Sequence, residues 1–333
     1  MSTPQLSVLQ VSDATHSHGD LSDFTVAIFS FNRGGYLENC ARSCLTHMPG
    51  ARVVIYDDDS DDQDTLRVLE QLEADGCVIH RVSPQDPSSR HGGLYGNMQL
   101  ALENCETPII LFLQDDTQVV RTLDAETADA IRTAFSHPDI AFVRPQFFKH
   151  LDMWRFGAHF HPKHVGGLIE PNQSYKDCNI DHAYCDVVLG DVELLRQSKW
   201  RFTAPERANQ DAAKRLFKFM PYLVQPFVFY CPEVPSYRDR KLYLASKIVQ
   251  SKRDNAVVHL NDMGADMVAK LFALKDAELP IAEDFLTASH SDVRFPFVFQ
   301  DYARSRRLHV LYKVESRLYR IWSGLLRKLR LKK

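Results

Sequence analysis

Two groups of carboxylates are the residues of this chain best suited to chemistry, and each closes a run of apolar positions. Asp57, Asp58, Asp59, Asp61 and Asp62, with Ser60 among them, follow Val53-Val54-Ile55-Tyr56, and Gln114-Asp115-Asp116 follows Ile109 to Leu113. Five acids within six positions repel one another, so the first loop calls for a counter-charge or a donor-rich ligand. The plainer reading is a solvated turn in which Asp64 caps the next helix. An EF-hand is excluded, because the sixth position is Asp62 rather than Gly and the twelfth is Val68 rather than Glu. Asp115 and Asp116 suit a hard divalent cation, since Mg²⁺ or Mn²⁺ is usually held by one or two carboxylates together with substrate phosphates. An Asp pair is equally at home in an ordinary turn.

The surrounding pattern says what must position these loops. Phe24 to Phe31, Arg52 to Asp57, Cys77 to Val82 and Pro108 to Leu113 read as strands, and Tyr36 to His47, Thr65 to Ala74 and Leu94 to Cys105 carry apolar residues at helical spacing. The order βαβαβαβ predicts a largely parallel α/β sheet with right-handed crossovers. In such a sheet the loops after the strands' carboxyl ends share one edge, where ligands bind at the switch of strand order. Residues 32–35, 57–62 and 114–117 should therefore converge. A helix Thr127 to Phe135 and a strand Ile140 to Arg144 follow. A loop-rich middle then runs from Phe147 to Tyr184. Beyond it come a strand Cys185 to Leu189, a helix from about Asp191, a helix Asn209 to Phe219 and strand-like Tyr222 to Phe229. The expected organisation is a loose leader 1–23, a main domain 24–264 divided near 120, and a peripheral helical extension 265–333.

With 333 residues and 44% apolar side chains, the chain can bury a large core. No run approaches the ~20 apolar residues that span a bilayer, and the leader lacks the basic and apolar regions of a signal peptide. The seven cysteines are odd in number and sit mostly in apolar segments, as buried thiols of a reducing compartment would. Residues 304–333 hold eleven of the 40 Lys and Arg but one of the 43 Asp and Glu, so an acidic body ends in a basic tail. There Leu311, Val314, Leu318, Trp322, Leu325 and Leu329 fall on one helical face while the cations lie elsewhere. This is a basic amphipathic helix, expected to lie on an anionic membrane surface; packing onto the body, coiled-coil pairing and nucleic-acid binding are its rivals.

Four segments in order, VAIFSFNRGGYL from Val26, VVIYDDDS from Val53, GLYGNMQLA from Gly93 and FLQDDT from Phe112, resemble family-2-like glycosyltransferases of the GT-A fold. Gly190 to Arg215 resembles that family's acceptor half, with Gln210-Asp211 at its acidic pair, so the likeness extends over residues 24–235. The resemblance implies an inverting transferase that moves a sugar from a nucleoside diphosphate sugar, UDP-linked, to a hydroxyl of a glycan or lipid-linked acceptor in cell-surface glycan synthesis. It implies that Phe31, Asn32, Arg33, Asp57, Asp58, Asn97, Gln114 and Asp115 bind the donor. Asp116 and Asp115 would bind Mn²⁺ or Mg²⁺, with His259 as a late ligand, and Asp211 would be the general base; a helix cap is the alternative for Asp211. A noncatalytic binder of the same fold is the competing reading, motivated by Gln114, Gly96 and Gln210, which replace the family's usual Asp, Arg and Glu. Arg33, Arg90 or His91 would make up for the arginine missing at Gly96, and Asp59 replaces a Gly at a place where Asp tolerates left-handed backbone. His159, His161, His164, Cys178, His182 and Cys185 match no zinc spacing, and Trp154, Trp200 and Tyr184 are either acceptor-stacking rings or core. The expected setting is the cytoplasm, on the inner face of a membrane, with no nucleic acid partner.

Overall fold

The computed structural model describes residues 19–82, 93–150, 163–170, 183–217, 219–232, 243–250, 257–276, 278–289 and 305–330. In chain order the elements are β1 (Phe24–Ser30), α1 (Gly34–His47), β2 (Arg52–Asp57), α2 (Gln63–Ala74), β3 (Val78–Arg81), α3 (Leu94–Asn104), β4 (Ile109–Gln114), β5 (Thr117–Val119), α4 (Ala125–Phe135) and β6 (Phe142–Val143). They continue with β7 (Lys163–Val165), β8 (Leu168–Glu170), β9 (Val188–Asp191), α5 (Val192–Gln197), α6 (Glu206–Leu216), β10 (Tyr222–Leu223), β11 (Val228–Tyr230), α7 (Leu244–Gln250), α8 (Ala265–Phe272), α9 (Ala282–Phe285) and α10 (Arg306–Arg330).

Six strands form the main sheet in the order β3-β2-β1-β4-β9-β6. All seven residues of β1 are buried, as a strand paired on both sides and covered on both faces requires. Its alternation divides the core in two. Phe24, Val26 and Ile28 pack with Leu37 and Cys40 of α1 and Leu69 and Leu72 of α2, whereas Ala27 and Phe29 pack with Tyr95 and Met98 of α3 and with Leu195 and Phe202. Strands β2, β1 and β4 run parallel, with Ser30 beside Asp57 and Phe29 beside Gln114, and β3 runs parallel to β2. The expected parallel core is therefore present.

The second half of the main domain departs from the expected pattern. Strand β9 is antiparallel to β4 and starts at Val188, later than the apolar run suggested. The run Tyr222 to Phe229 splits into β10 and β11, and β11 pairs antiparallel with an unforeseen short strand, β5. Helix α6 begins at Glu206, earlier than the apolar spacing suggested, with Pro205 in extended backbone as its N-cap residue. The expected cap Asp64 lies in the first turn of α2, and Asp62 does the capping, its Oδ2 accepting from the Thr65 amide at 2.9 Å. Residues past 265 are not all peripheral: Leu271, Ala282 and Phe285 bury in one cluster with Val120, Phe147 and Phe229, so packing continues across the expected boundary.

Arg121 ties this region together. Its buried guanidinium donates to the carbonyls of Thr122, Gln225 and Pro226, to Thr127 Oγ1 and, at 2.8 Å, to Asp124 Oδ2. Asp124 also caps α4. Removing the arginine strands a buried carboxylate, so Arg121→Ala should cost about 3–5 kcal/mol of stability. Urea unfolding measures this, and a loss under 1 kcal/mol would refute the role.

Candidate active site

The strand order places a switch point between β1 and β4: the chain moves outward from β1 to β2 and β3, then returns through α3 to β4 on the other side of β1. The loops leaving β1 and β4 diverge there and open a crevice at the carboxyl edge. Asp115 lies in that crevice and is fully buried. Its Oδ2 faces the Ser30 hydroxyl at 3.3 Å and the Phe31 amide at 3.4 Å, both across the switch point. Arg33, from the β1–α1 turn, donates through Nη1 to Asp115 Oδ1 and Asp116 Oδ2, each at 3.2 Å. Burial by itself lowers the Arg33 pKa, but the two carboxylates outweigh it and hold the guanidinium above its ordinary value. The Asp116 carbonyl accepts from the Cys231 amide, which lays β11 alongside the motif.

The acidic loop after β2 adjoins this crevice. Buried Asp57 accepts from the Ser60 amide at 2.8 Å and the Ser60 hydroxyl at 2.6 Å. Burial raises its pKa, and the bonds from Ser60 and the charge of Arg81 offset this only in part. Asn32 adopts left-handed backbone, φ 48°, and clamps the loop: its Oδ1 accepts from the amides of Asp61 and Asp62, and its Nδ2 donates to Asp61. Asp59 is left-handed at φ 60°, as expected of an Asp in a glycine's place. Asp58 accepts from the Gly93 amide at 2.7 Å and lies 3.5 Å from Asn97 Nδ2. A Cβ on Gly93 would stand 2.1 Å from Asp58 Oδ1, so only glycine permits this approach.

The counter-charge that the acidic loop required is Arg81. It donates to the Ser60 carbonyl at 2.7 Å and stands 3.6 Å from both Asp57 and Asp59. Its sequence signal was its place at the end of β3, in register with Asp57. Asp186 was also missed. The antiparallel register that pairs Phe112 with Val188 carries Asp186 to the end of β4, where the hydroxyls of Tyr95 and Tyr184 donate to it at 3.1 and 2.9 Å. Burial, reinforced by Asp186, pushes both phenols up, so they remain donors. Reading Cys185 to Leu189 as one strand had hidden this carboxylate.

Other expected residues fall elsewhere. Gln114 ends β4, and its backbone carbonyl accepts from the Thr117 hydroxyl at 2.7 Å. Asp211 is exposed, six residues into α6, and so does not cap that helix. His259 is exposed, with Nδ1 3.4 Å from the Val257 carbonyl. Among the described residues no group of three or more His, Cys, Asp and Glu could hold a metal ion, so His259 does not join Asp115 and Asp116 in one ligand set. Val257, two residues before His259, packs on Tyr36 and Cys231. Trp200 and Tyr184 are core, buried with Phe142 and Phe202 rather than open for stacking. His164 is held by the Glu278 carbonyl and Cys185 by that of Val187. Arg90, His91, Trp154, His159, His161, Cys178 and His182 lie outside the described residues.

Residues 25–174 match the model of the glycosyl transferase family 2. That segment resembles the family, and it makes up less than half of the chain. Its fold is GT-A, and the crevice between β1 and β4 belongs to the matched segment. No curated protein sequence matches the chain. Among solved structures, S. aureus TarS is similar at 15% identity over 62% of this chain and 36% of that one, with a TM-score of 0.40. The mannosyltransferase PcManGT from Pyrobaculum calidifontis, in complex with GDP-Man and Mn²⁺, is similar at 13% identity over 61% and 55%, with a TM-score of 0.41. The galactosyltransferase LgtC, in complex with donor and acceptor sugar analogs, is similar at 14% identity over 60% and 72%, with a TM-score of 0.34. The chain thus spans less than two thirds of the length of the first two.

The raised pKa of Asp57 carries a sign. A carboxyl that holds its proton more tightly in the folded state lowers stability as pH rises from its unfolded value near 3.8 through its folded value. Asp57→Asn should flatten that stretch of the stability curve, measured by denaturant unfolding across the acidic range. An unchanged slope would mean that Asp57 is not the group responsible.

Proposed function

We propose that this chain is a glycosyltransferase that moves a sugar from a UDP-linked donor to a hydroxyl of a glycan or lipid-linked acceptor, with inversion, in the synthesis of a cell-surface glycan. The observation that carries this is the meeting of Asp115, Asp116 and Arg33 with the Asp57–Asp58 loop at one switch point within the segment that matches family 2. Asp57 and Asp58 accept hydrogen bonds from the donor's base, and Asp58 is aimed by the Gly93 amide. Asn32 acts one step removed, by fixing the acidic loop, and Phe31 through its backbone amide. Gln114, ending β4, offers the ribose an amide without adding charge.

Asp115 and Asp116 would hold the divalent cation together with the diphosphate oxygens. The fit is supported by what lies between them: a guanidinium, a positive charge that both carboxylates accept at 3.2 Å. When bound, Mn²⁺ or Mg²⁺ supplies Lewis-acid stabilisation of the departing diphosphate. Asp211 takes the proton from the acceptor hydroxyl as that oxygen attacks the anomeric carbon from the face opposite the leaving group, which inverts the centre. Its support is an exposed carboxylate that makes no hydrogen bond among the described residues and so is open to an incoming hydroxyl.

UDP with Mn²⁺ at a hundred times its dissociation constant should raise stability by about 2.7 kcal/mol, and Asp116→Ala should remove that gain. Asp211→Asn should keep the gain and lower kcat by about a hundredfold or more. If Asp186→Asn shows that loss and Asp211→Asn does not, the base is misassigned. Binding without transfer to any acceptor, by the unmutated protein, would support the noncatalytic alternative.

The C-terminal helix supports a membrane-surface setting. One face of α10 packs on the start of α7: Tyr312 and Tyr319 meet the ring of Tyr243 edge-on, and Glu315 accepts from the Leu244 amide at 2.6 Å. On another face Val310, Val314, Leu318, Ile321 and Trp322 are each more than half exposed, with Lys313, Arg317 and Arg320 on the helix beside them. The side chains of Leu325 and Leu329 lie outside the described residues. An apolar stripe flanked by cations suits the interface of an anionic bilayer. No helix among the described residues is long and apolar enough to cross a membrane. Vesicles containing phosphatidylserine should sediment the protein at low salt and release it at high salt. Leu318→Glu with Trp322→Glu should abolish sedimentation, and undiminished binding by that variant would exclude the helix as the anchor.

A further inference from the structure

We infer that Arg33 is a positioning residue that holds the Asp115–Asp116 pair closed to a divalent cation until a donor diphosphate draws its guanidinium away. The inference rests on the donor site proposed above but concerns cation binding, which can be read without any sugar transfer. One nitrogen, Nη1, bridges Asp115 Oδ1 and Asp116 Oδ2 at 3.2 Å each, so the guanidinium lies between the oxygens a cation would need. With Gln114 neutral, these two are the only carboxylates of the motif. The site is also nearly closed to water, with side-chain exposures of 10% for Arg33, 0% for Asp115 and 14% for Asp116, so solvent screens the competition weakly.

Two positive charges cannot share this space, and the competition between them is a reciprocal coupling free energy. A diphosphate changes the balance. A guanidinium pairs with phosphate oxygens in the same forked manner as with carboxylates, so an arriving diphosphate offers Arg33 an equivalent partner. The backbone of Arg33 is fixed as the N-cap of α1, at the rim of the crevice, so only its side chain needs to turn. Once it turns, both carboxylate oxygens are available at the moment the phosphates arrive. Arg33 thereby couples occupancy of the cation site to occupancy of the donor site.

The test titrates Mn²⁺ alone into the full-length chain and follows the free-ion signal by electron paramagnetic resonance. Arg33→Met should bind Mn²⁺ at least about fivefold more tightly than the unmutated protein, within the usual range of coupling between sites. Arg33→Lys, a point charge without the planar fork, should fall between the two. Adding Asp116→Asn to Arg33→Met should abolish the gain. If neither Arg33 variant binds Mn²⁺ more tightly than the unmutated protein, the inference is overturned, and if the Met variant does not fold, the Lys variant decides alone. Tighter Mn²⁺ binding in a protein that never transfers sugar would sink the proposed function and leave this coupling standing; transfer without the gain would do the reverse.

Discussion

Two carboxylates cannot be placed side by side, out of water and at the end of an apolar strand, without a positive charge or an array of donors to hold them. In this chain Arg33 supplies the charge, while Ser30 and the Phe31 amide supply further donors to Asp115. All three come from the end of β1 or the turn after it, and the acids come from the end of β4. The pairing of β1 with β4 therefore does more than build a sheet: it brings donors and acceptors together, 82 residues apart in sequence between Arg33 and Asp115. A slip of that register by one residue would turn Asp115 away from its donors and reverse which face of β4 meets each core.

The same logic repeats one strand further out. Asp57 is buried and held by Ser60, the loop beyond it is pinned by Asn32 from the β1 turn, and Arg81 from β3 balances its charge. Asn32 and Arg33 are neighbours in sequence, and they serve the two acidic loops on either side of them. The turn after β1 is thus the shared support of both halves of the crevice, and its left-handed Asn32 is the kind of backbone feature that functional turns retain.

The far side of β4 is built differently. Strand β9 runs against β4, so the residue just before it, rather than after it, arrives at the ligand edge. Asp186 reaches the crevice by this reversal and is steadied by two tyrosines whose rings belong to the aromatic core around Trp200 and Phe202. Strand β11, paired with β5, places Tyr230 beside Thr117 and the Cys231 amide on the Asp116 carbonyl, closing the other flank.

Much of this was determined by local pattern. Strands β1 to β4 and the helices between them announce themselves by apolar runs and helical spacing, because each buries a face whose period depends only on the element's own geometry. The acidic loops at the strand ends followed from that order, whereas the left-handed backbone of Asp59 was expected from the family resemblance, in which it stands in a glycine's place. What the sequence could not specify was which distant charge meets which. That Arg33 bridges Asp115 and Asp116, that Arg81 balances Asp57 and Asp59, and that Asp186 joins the same edge all depend on strand order and direction. An apolar run carries no mark of whether its strand lies parallel or antiparallel, and β9 needed that information. For the same reason His259 could be named as a ligand from its type but not placed with the acids: charge and hydrogen bonding act through space, and only the packed sheet sets those distances.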